Sequence, residues 1–594
     1  MAFYPTVNET YQSQQVIDTF SGLNHNLKIG EGEAYYTQNL SSDHYPMLST
    51  RVKRGIVTTL SNPLGIAAKA KLAYVDGSQL HYGEYNLTSF FQNKGLAIDS
   101  NTEKQLVGMG AYLCIFPDKL YINTTNFSDC GSMEAFYESS GDIEYTVCKQ
   151  DGTAYKTPTQ SASAPEKPEN GDLWLDTSGK NHVLKEYNKA TASWVQIPTV
   201  YTKIAATNIG LAFEKLDGVQ ISGCAGNAQV EALNGSKLIQ EKGDGYIVVI
   251  GLLDQSYMQT EGKVTVTRKV PEMDFIVECQ NRLWGCKYGL VNGRTVNEIY
   301  CCALGDFRNW EKYQGISTDS YTASVGSDGE WTGAVNYLGN PLFFKENHLH
   351  KVYVSAAGAH QIVDTALRGV MKGSEKSLCT VGNSLIYQSR DGICAYDGSL
   401  PQVISQKLGN TFYKNGVAGS LGDKYYISME DGDGNRSLFC VDTRNAVWHR
   451  EDNTKAIGFA TLPGELYMLT EDKKLIAVNG TEGTPEADFG WIAESGLIGY
   501  SDVGQKYISR VNLRVVMPVG SRAKLELQYD SDGIWHSCGT MIGKGTGSFL
   551  LPVRPRRCDH FRYRLSGTGD IKIYSLAKLY EGGSDAKTND VLPF

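Results

Sequence analysis

Apolar and polar residues alternate in short runs along this chain, and each run ends in a Gly, Asp or Asn turn. The units are "KLAYVDGSQLHYGEYN" from Lys71, "AYLCIFPDKLYINTTN" from Ala111, "NRLWGCKYG", "NPLFFKENHLHKVYV", "NSLIYQSRDGICAYDG", "DKYYISMEDGDGNRSLFCVD" and "GELYMLTEDKKLIAVNG". Alternation with period two marks half-buried strands, and the turn residues fold them into hairpins. With Leu342, Leu385, Tyr425 and Leu466 as markers of the first strand in the last four units, the spacings are 43, 40 and 41 residues; Leu72 and Tyr112 lie 40 apart. A hairpin period near 40 is the signature of four-stranded propeller blades. The pattern predicts an all-β chain with a β-propeller of six or seven blades, the terminal blade completed from both chain ends. No long stretch shows helical periodicity.

The stretch "EIYCCALGDFRNWEKYQG", 298–315, falls inside one blade. "EIYCCA" reads as a central strand, so Cys301 and Cys302 point to opposite faces and cannot readily share a metal. Trp310, after the Gly-Asp corner, reads as an apolar anchor between blades.

The period breaks between the second unit and Asn281. "YKTPTQSASAPEKPEN", 155–170, has linker composition. "GDLWLDTSGKNHVLKEYNKATASWVQIP" predicts three short strands with Trp174 and Trp194 on the outer two. The paired Trp either fill a small core or offer aromatic faces to a glycan. Four strands with Gly-rich turns occupy 203–270, and five or more alternating strands in 487–581 predict a C-terminal β-sandwich. The expected organisation is an N-terminal arm and leading strand (1–55), first blades (56–130), linker and Trp-containing insertion (131–202), a small inserted β-domain (203–270), the remaining blades (271–486), and the sandwich with its tail (487–594).

Length and composition fit this reading. At 594 residues more than one core is expected. The net charge of −9 gives no whole-chain attraction to nucleic acid or acidic membranes. The exception is local: residues 505–573 hold twelve Lys/Arg against five Asp/Glu. In "PVRPRRCDHFRYRL" the candidate contacts for phosphate or an acidic partner are Arg554, Arg556, Arg557, Arg562 and Arg564. Thirteen cysteines without a single CxxC predict reduced, buried thiols rather than a zinc site or disulfide frame. The first residues show neither a basic start nor an apolar run, and no apolar stretch is long enough to span a bilayer.

Motifs for catalysis fail on spacing. "GTMIGKGT", 539–546, has three residues between its first glycines and Gly545 in place of the Ser/Thr that would hold magnesium. "DGDGNRSLFCVD", 431–442, has Arg436 where a calcium loop needs its turn glycine, so a hairpin turn is expected. His348 and His350 share a strand face without a third ligand at suitable spacing. No catalytic residue, metal or cofactor is expected, and the chain is not expected to be an enzyme.

"FSGLNHNLKIGEGEAYYTQNLSSDHYPMLSTRVKRG" (20–55), "VPEMDFIVECQNRLWGC", "IYCCALGDFRNWEKY" and "PVRPRRCDHFRYRLSG" resemble bacteriophage tail-associated β-propeller proteins. The resemblance covers most of the chain except 155–200, and its motifs are structural. It implies a virion protein of the nozzle or hub type in short-tailed phages, forming a ring, expected to be a hexamer, below the portal and adaptor and lining the DNA exit channel. Implied partners are further copies of the chain, portal and adaptor proteins, a tail fibre or other tail proteins, and transiently the phage DNA. The implied location is the virion tail, assembled in bacterial cytoplasm. The alternative is a receptor-binding or baseplate protein recognising host glycans; a third class is a carbohydrate-binding propeller or glycosidase.

Overall fold

The computed structural model describes residues 12–354, 359–499, 504–553 and 556–582. The described residues are nearly all β, with 52% strand and 3% helix. It divides into two compact units, one of residues 1–85, 344–349 and 365–594, the other of 86–343 and 350–364.

Among the described residues, seven four-stranded antiparallel sets have the form of propeller blades. In the first unit they are blade I (from Pro63–Ala68), blade V (from Cys379–Val381), blade VI (from Tyr413–Leu421) and blade VII (from Ala456–Leu462). Blades II and III of the second unit start at Gln105–Met109 and Phe275–Glu278. The division between units falls within blade IV, Gly333–Tyr337 to His360–Ala366.

Blade VII takes its fourth strand from far upstream: Gly55–Thr59 pairs with Lys474–Ala477. This is the completion from both chain ends that the hairpin count anticipated. The markers, however, lie on second strands: Leu72 follows Pro63–Ala68, and Leu466 follows Ala456–Leu462. The preceding strands carry glycine where blades approach closely and so lack a strong aliphatic signal. A Cβ on Gly419 would lie 2.6 Å from Phe459, and one on Gly458 would lie 2.9 Å from Ile66.

The cysteine pair in blade III behaves as the alternation requires. Cys301 packs with Trp284, Ile299 and Phe343. Cys302 packs on the other side with Met109, Phe116 and Trp310. Burial pushes the Cys302 thiol up to about 12, which suits packing and not reactivity. All thirteen cysteines are free, and all but Cys379 are buried.

The inserted region is nested. Ala135–Glu138 and Ile143–Cys148 pair with Thr265–Arg268 and Tyr201–Ala205, so the inserted sandwich begins near 135 rather than 203. Its two sheets enclose Ile143, Tyr145, Ile204, Phe213 and Val249. Between Cys148 and Tyr201 lies the Trp-containing module, four strands in order Thr159–Ser161, Leu173–Asp176, Val183–Asn188, Ser193–Gln196. Thr159–Ser161, within the stretch of linker composition, pairs in parallel with Leu173–Asp176.

The C-terminal sandwich also recruits the N-terminus. Gln12–Ile17 pairs with Lys572–Gly582, and Glu33–Gln38 with Gly490–Ser495. Ile17 and Phe20 are buried in the same core as Trp491, Leu513 and Leu565. Strands within 12–50 are therefore sheet members of the sandwich, where the sequence reads as an arm. One ten-stranded sheet runs from Tyr413–Leu421 of blade VI through Gly22–Leu23 and Glu33–Gln38 to His536–Ile542 of the sandwich.

Candidate functional site

The basic strip lies on the strand Phe561–Thr568, between Gly490–Ser495 and Arg522–Tyr529. Alternation sends Phe561, Tyr563 and Leu565 inward. Arg562 and Arg564 point outward, where they meet carboxylates instead of open solvent. Arg564 donates to Glu526 at 2.9 Å and reaches Glu494 at 3.4 Å. Arg562 lies 3.6 Å from Glu494 and donates to the Ser495 carbonyl at 3.2 Å. Trp535 lies beneath both guanidinium groups, 4.4 Å from that of Arg564. Burial alone would lift the Glu526 carboxyl, but bonds from Lys524 and Arg564 hold it below the ordinary range. Arg556 pairs with Asp532 at 3.0 Å. Arg557 sits partly buried in a short strand beside Tyr507, and Arg554 lies outside the described residues. The chain thus neutralises Arg556, Arg562 and Arg564 itself.

The Trp pair is brought together, as a packed stack. Trp174 is 6% exposed, and its indole N–H donates to the Ser161 carbonyl at 3.0 Å. Trp194 meets it edge-on at 5.5 Å and packs against Tyr187 at 5.3 Å. Lys185 lies 4.5 Å over Trp174 and pairs with Asp176. Beneath, Leu173, Leu175 and Leu184 pack with Val147 and Leu252 of the inserted sandwich. Trp174 therefore serves the core of the module, and only Trp194 and Tyr187 retain partial exposure.

Sequence reasoning missed a polar cleft in the first unit. It has a volume of about 360 Å³ and is lined by Ser41, Asp43, Arg51, Lys424, Asp442 and Glu451, among others. Lys424 donates to Asp43 and to Ser41 at 3.1 Å. Burial would raise the Asp43 carboxyl, but the Lys424 ammonium keeps it low. Arg54 bridges Glu451 at 2.5 Å and Asp452 at 2.7 Å, and Arg51 binds Glu486 with its guanidinium 4.1 Å over Phe489. These partners are about 400 residues apart in sequence, so no local motif could announce them. The network joins the strands around Gly55 to blade VI and the segment leading into the sandwich. Its charges are internally matched, which fits a structural junction.

Among the described residues no group of three His, Cys, Asp or Glu side chains is placed to hold a metal ion. The 431–435 segment is a hairpin turn in which Asp431 accepts the Asp433 and Asn435 N–H groups at 2.9 Å. The 539–546 segment is split between two strands, His536–Ile542 and Gly545–Pro552. Among the described residues no helix is long and apolar enough to cross a membrane.

No family model matches this chain, and no curated protein matches it. Among solved structures, an exo-β-1,3-galactanase from Phanerochaete chrysosporium in complex with galactose aligns over 50% of this chain and 95% of its own at 9% identity, with a TM-score of 0.20. A likeness at that score carries no argument about activity.

Proposed function

We propose that the chain is a structural virion protein of a bacteriophage tail, a nozzle or hub subunit that assembles with its own copies into a ring below the portal and adaptor. The observation that best supports this reading is the interweaving of the chain ends. One ten-stranded sheet joins blade VI to the C-terminal sandwich through N-terminal strands, and the matched Arg51/Arg54 network fixes the same junction. Among the described residues, blade VI and the sandwich are thus joined by a run of paired strands as well as by the chain itself. A channel wall that bears the pressure of packaged DNA needs such a joint. In this reading the protein is not an enzyme, and its partners are other tail proteins and transiently DNA. The receptor-binding alternative draws less support, because burial of Trp174 leaves a small aromatic face.

The test is location. Gold-labelled antibody against the chain, imaged on particles, should mark the tail axis beneath the capsid vertex. Label at the tips of peripheral fibres would favour the receptor-binding reading, and absence from particles would end both.

A further inference from the structure

The five arginines singled out from sequence leave unexplained why residues 505–573 are so basic, since three are paired internally. A cluster of unmatched charge sits on the other sheet of the sandwich. In Lys506–Met517, Val511, Leu513, Val515 and Met517 enter the core. Arg510, Asn512, Arg514 and Val516 therefore face outward. The register sets Leu550 and Ala577 beside Asn512, and Lys572 beside Val516. Val16 stands next to Ala577. Val16 is 52%, Leu550 62% and Tyr574 46% exposed. Asn512 is bonded to Ser548 at 2.8 Å. Among the described residues Arg510, Arg514 and Lys572 have no ion-pair partner; the acidic side chain on this face is Glu581, at its far end beside Tyr507.

An apolar centre with Tyr, edged by arginine, has the composition of a protein interface. A nucleic-acid surface would be more continuously cationic. The complement is present in the chain itself. Residues 505–573 are +7, and the whole chain is −9, so the remainder carries −16. We propose that this outer face binds the acidic surface of a second copy, head to tail. A contact between two different patches propagates around an axis and closes into a ring when the rotation permits. The inference rests on the ring reading above and names the surface that makes the ring.

The test is sedimentation of the full chain over a range of concentration and salt. The wild-type protein should run heavier than its 65.2 kDa monomer, and less so as salt rises. Arg510→Glu with Arg514→Glu, and separately Leu550→Asp, should weaken association about tenfold or more while the circular dichroism spectrum and melting temperature stay unchanged. Lys189→Glu, an exposed basic position in the Trp-containing module, should have no effect. If the reversals associate like wild type, this face is not the contact although the ring reading stands. A wild-type monomer at every concentration would overturn the self-association. Reversals that keep the oligomer but lose retention of single-stranded DNA would assign the face to nucleic acid instead. Particle labelling tests the tail reading independently of all these outcomes.

Discussion

His449 is a buried imidazole on Val447–Asp452, and among the described residues neither ring nitrogen has a hydrogen-bond partner. Burial and the nearby Lys424 ammonium push its pKa down from 6.5 to about 3. The folded state therefore refuses a proton that the unfolded chain accepts. Its contribution to stability is complete above pH 6.5 and is lost as pH falls from there toward 3, at about 1.4 kcal/mol per unit. Denaturant unfolding at pH 7.5, 5.5 and 4.5 should show that slope, and His449→Gln should flatten it by about one proton. An unchanged slope would show that His449 does not titrate with unfolding. Arg54 poses the complementary case. Its side chain and that of Glu451 are 4% and 5% exposed. Arg54→Leu strands a buried carboxylate and should cost about 3–5 kcal/mol in the same assay. Arg436→Leu, at a blade hairpin beside Glu430, should cost less because Glu430 also has Lys414.

At the scale of elements, hairpins were legible and their long-range pairings were not. Period-two runs such as "KYYISMED" and "RSLFCVD" became adjacent strands because local turn chemistry and alternation agree. The inner strands were harder to read, since close approach selects glycine there and removes the apolar marker. Gly419→Ala should therefore destabilise by about 1–3 kcal/mol, measured by thermal or denaturant unfolding, through contact with Phe459. The Trp module divides similarly. Its strands follow from alternation, but the parallel partner Thr159–Ser161 is hidden in linker composition, and the contact with Val147 and Leu252 cannot be seen from spacing. Trp174→Ala should cost about 3–5 kcal/mol, and the partly exposed Trp194→Ala about 1 kcal/mol. Equal effects would contradict the packing described. Replacing 171–198 with a Gly/Ser linker should lower the melting temperature and raise dye binding, because it uncovers Val147 and Leu252. The parallel pairing covers Thr159–Ser161 alone, so first protease cleavage is expected in the mostly exposed residues 162–170 that follow it.

For the whole molecule, the basic C-terminal stretch was visible as a charge count, but which sheet keeps its charge free depends on Glu494 and Glu526, distant in sequence from one another. The N-terminus misled for a comparable reason: a polar, amide-rich strand reads as an arm until Lys572–Gly582 is placed beside it. Deleting residues 12–20 should remove a strand and the buried Ile17 and Phe20, giving an unfolded or aggregating sandwich by circular dichroism and hydrogen exchange. A fully folded deletion would show that this pairing is dispensable. The Gln12–Glu581 register also dictates a timetable. The ribosome releases the first strand some 569 residues before its partner. At elongation rates of about 5–20 residues per second the wait is about half a minute to two minutes. Through that interval the first strand stands without its partner, and for most of it Gly55–Thr59 also waits for Lys474–Ala477, in a cell crowded with identical copies at every stage of synthesis. Chaperone dependence during translation, and exchange of N-terminal strands between neighbouring chains when expression is too fast, follow from a fold that is fastened last where it began first.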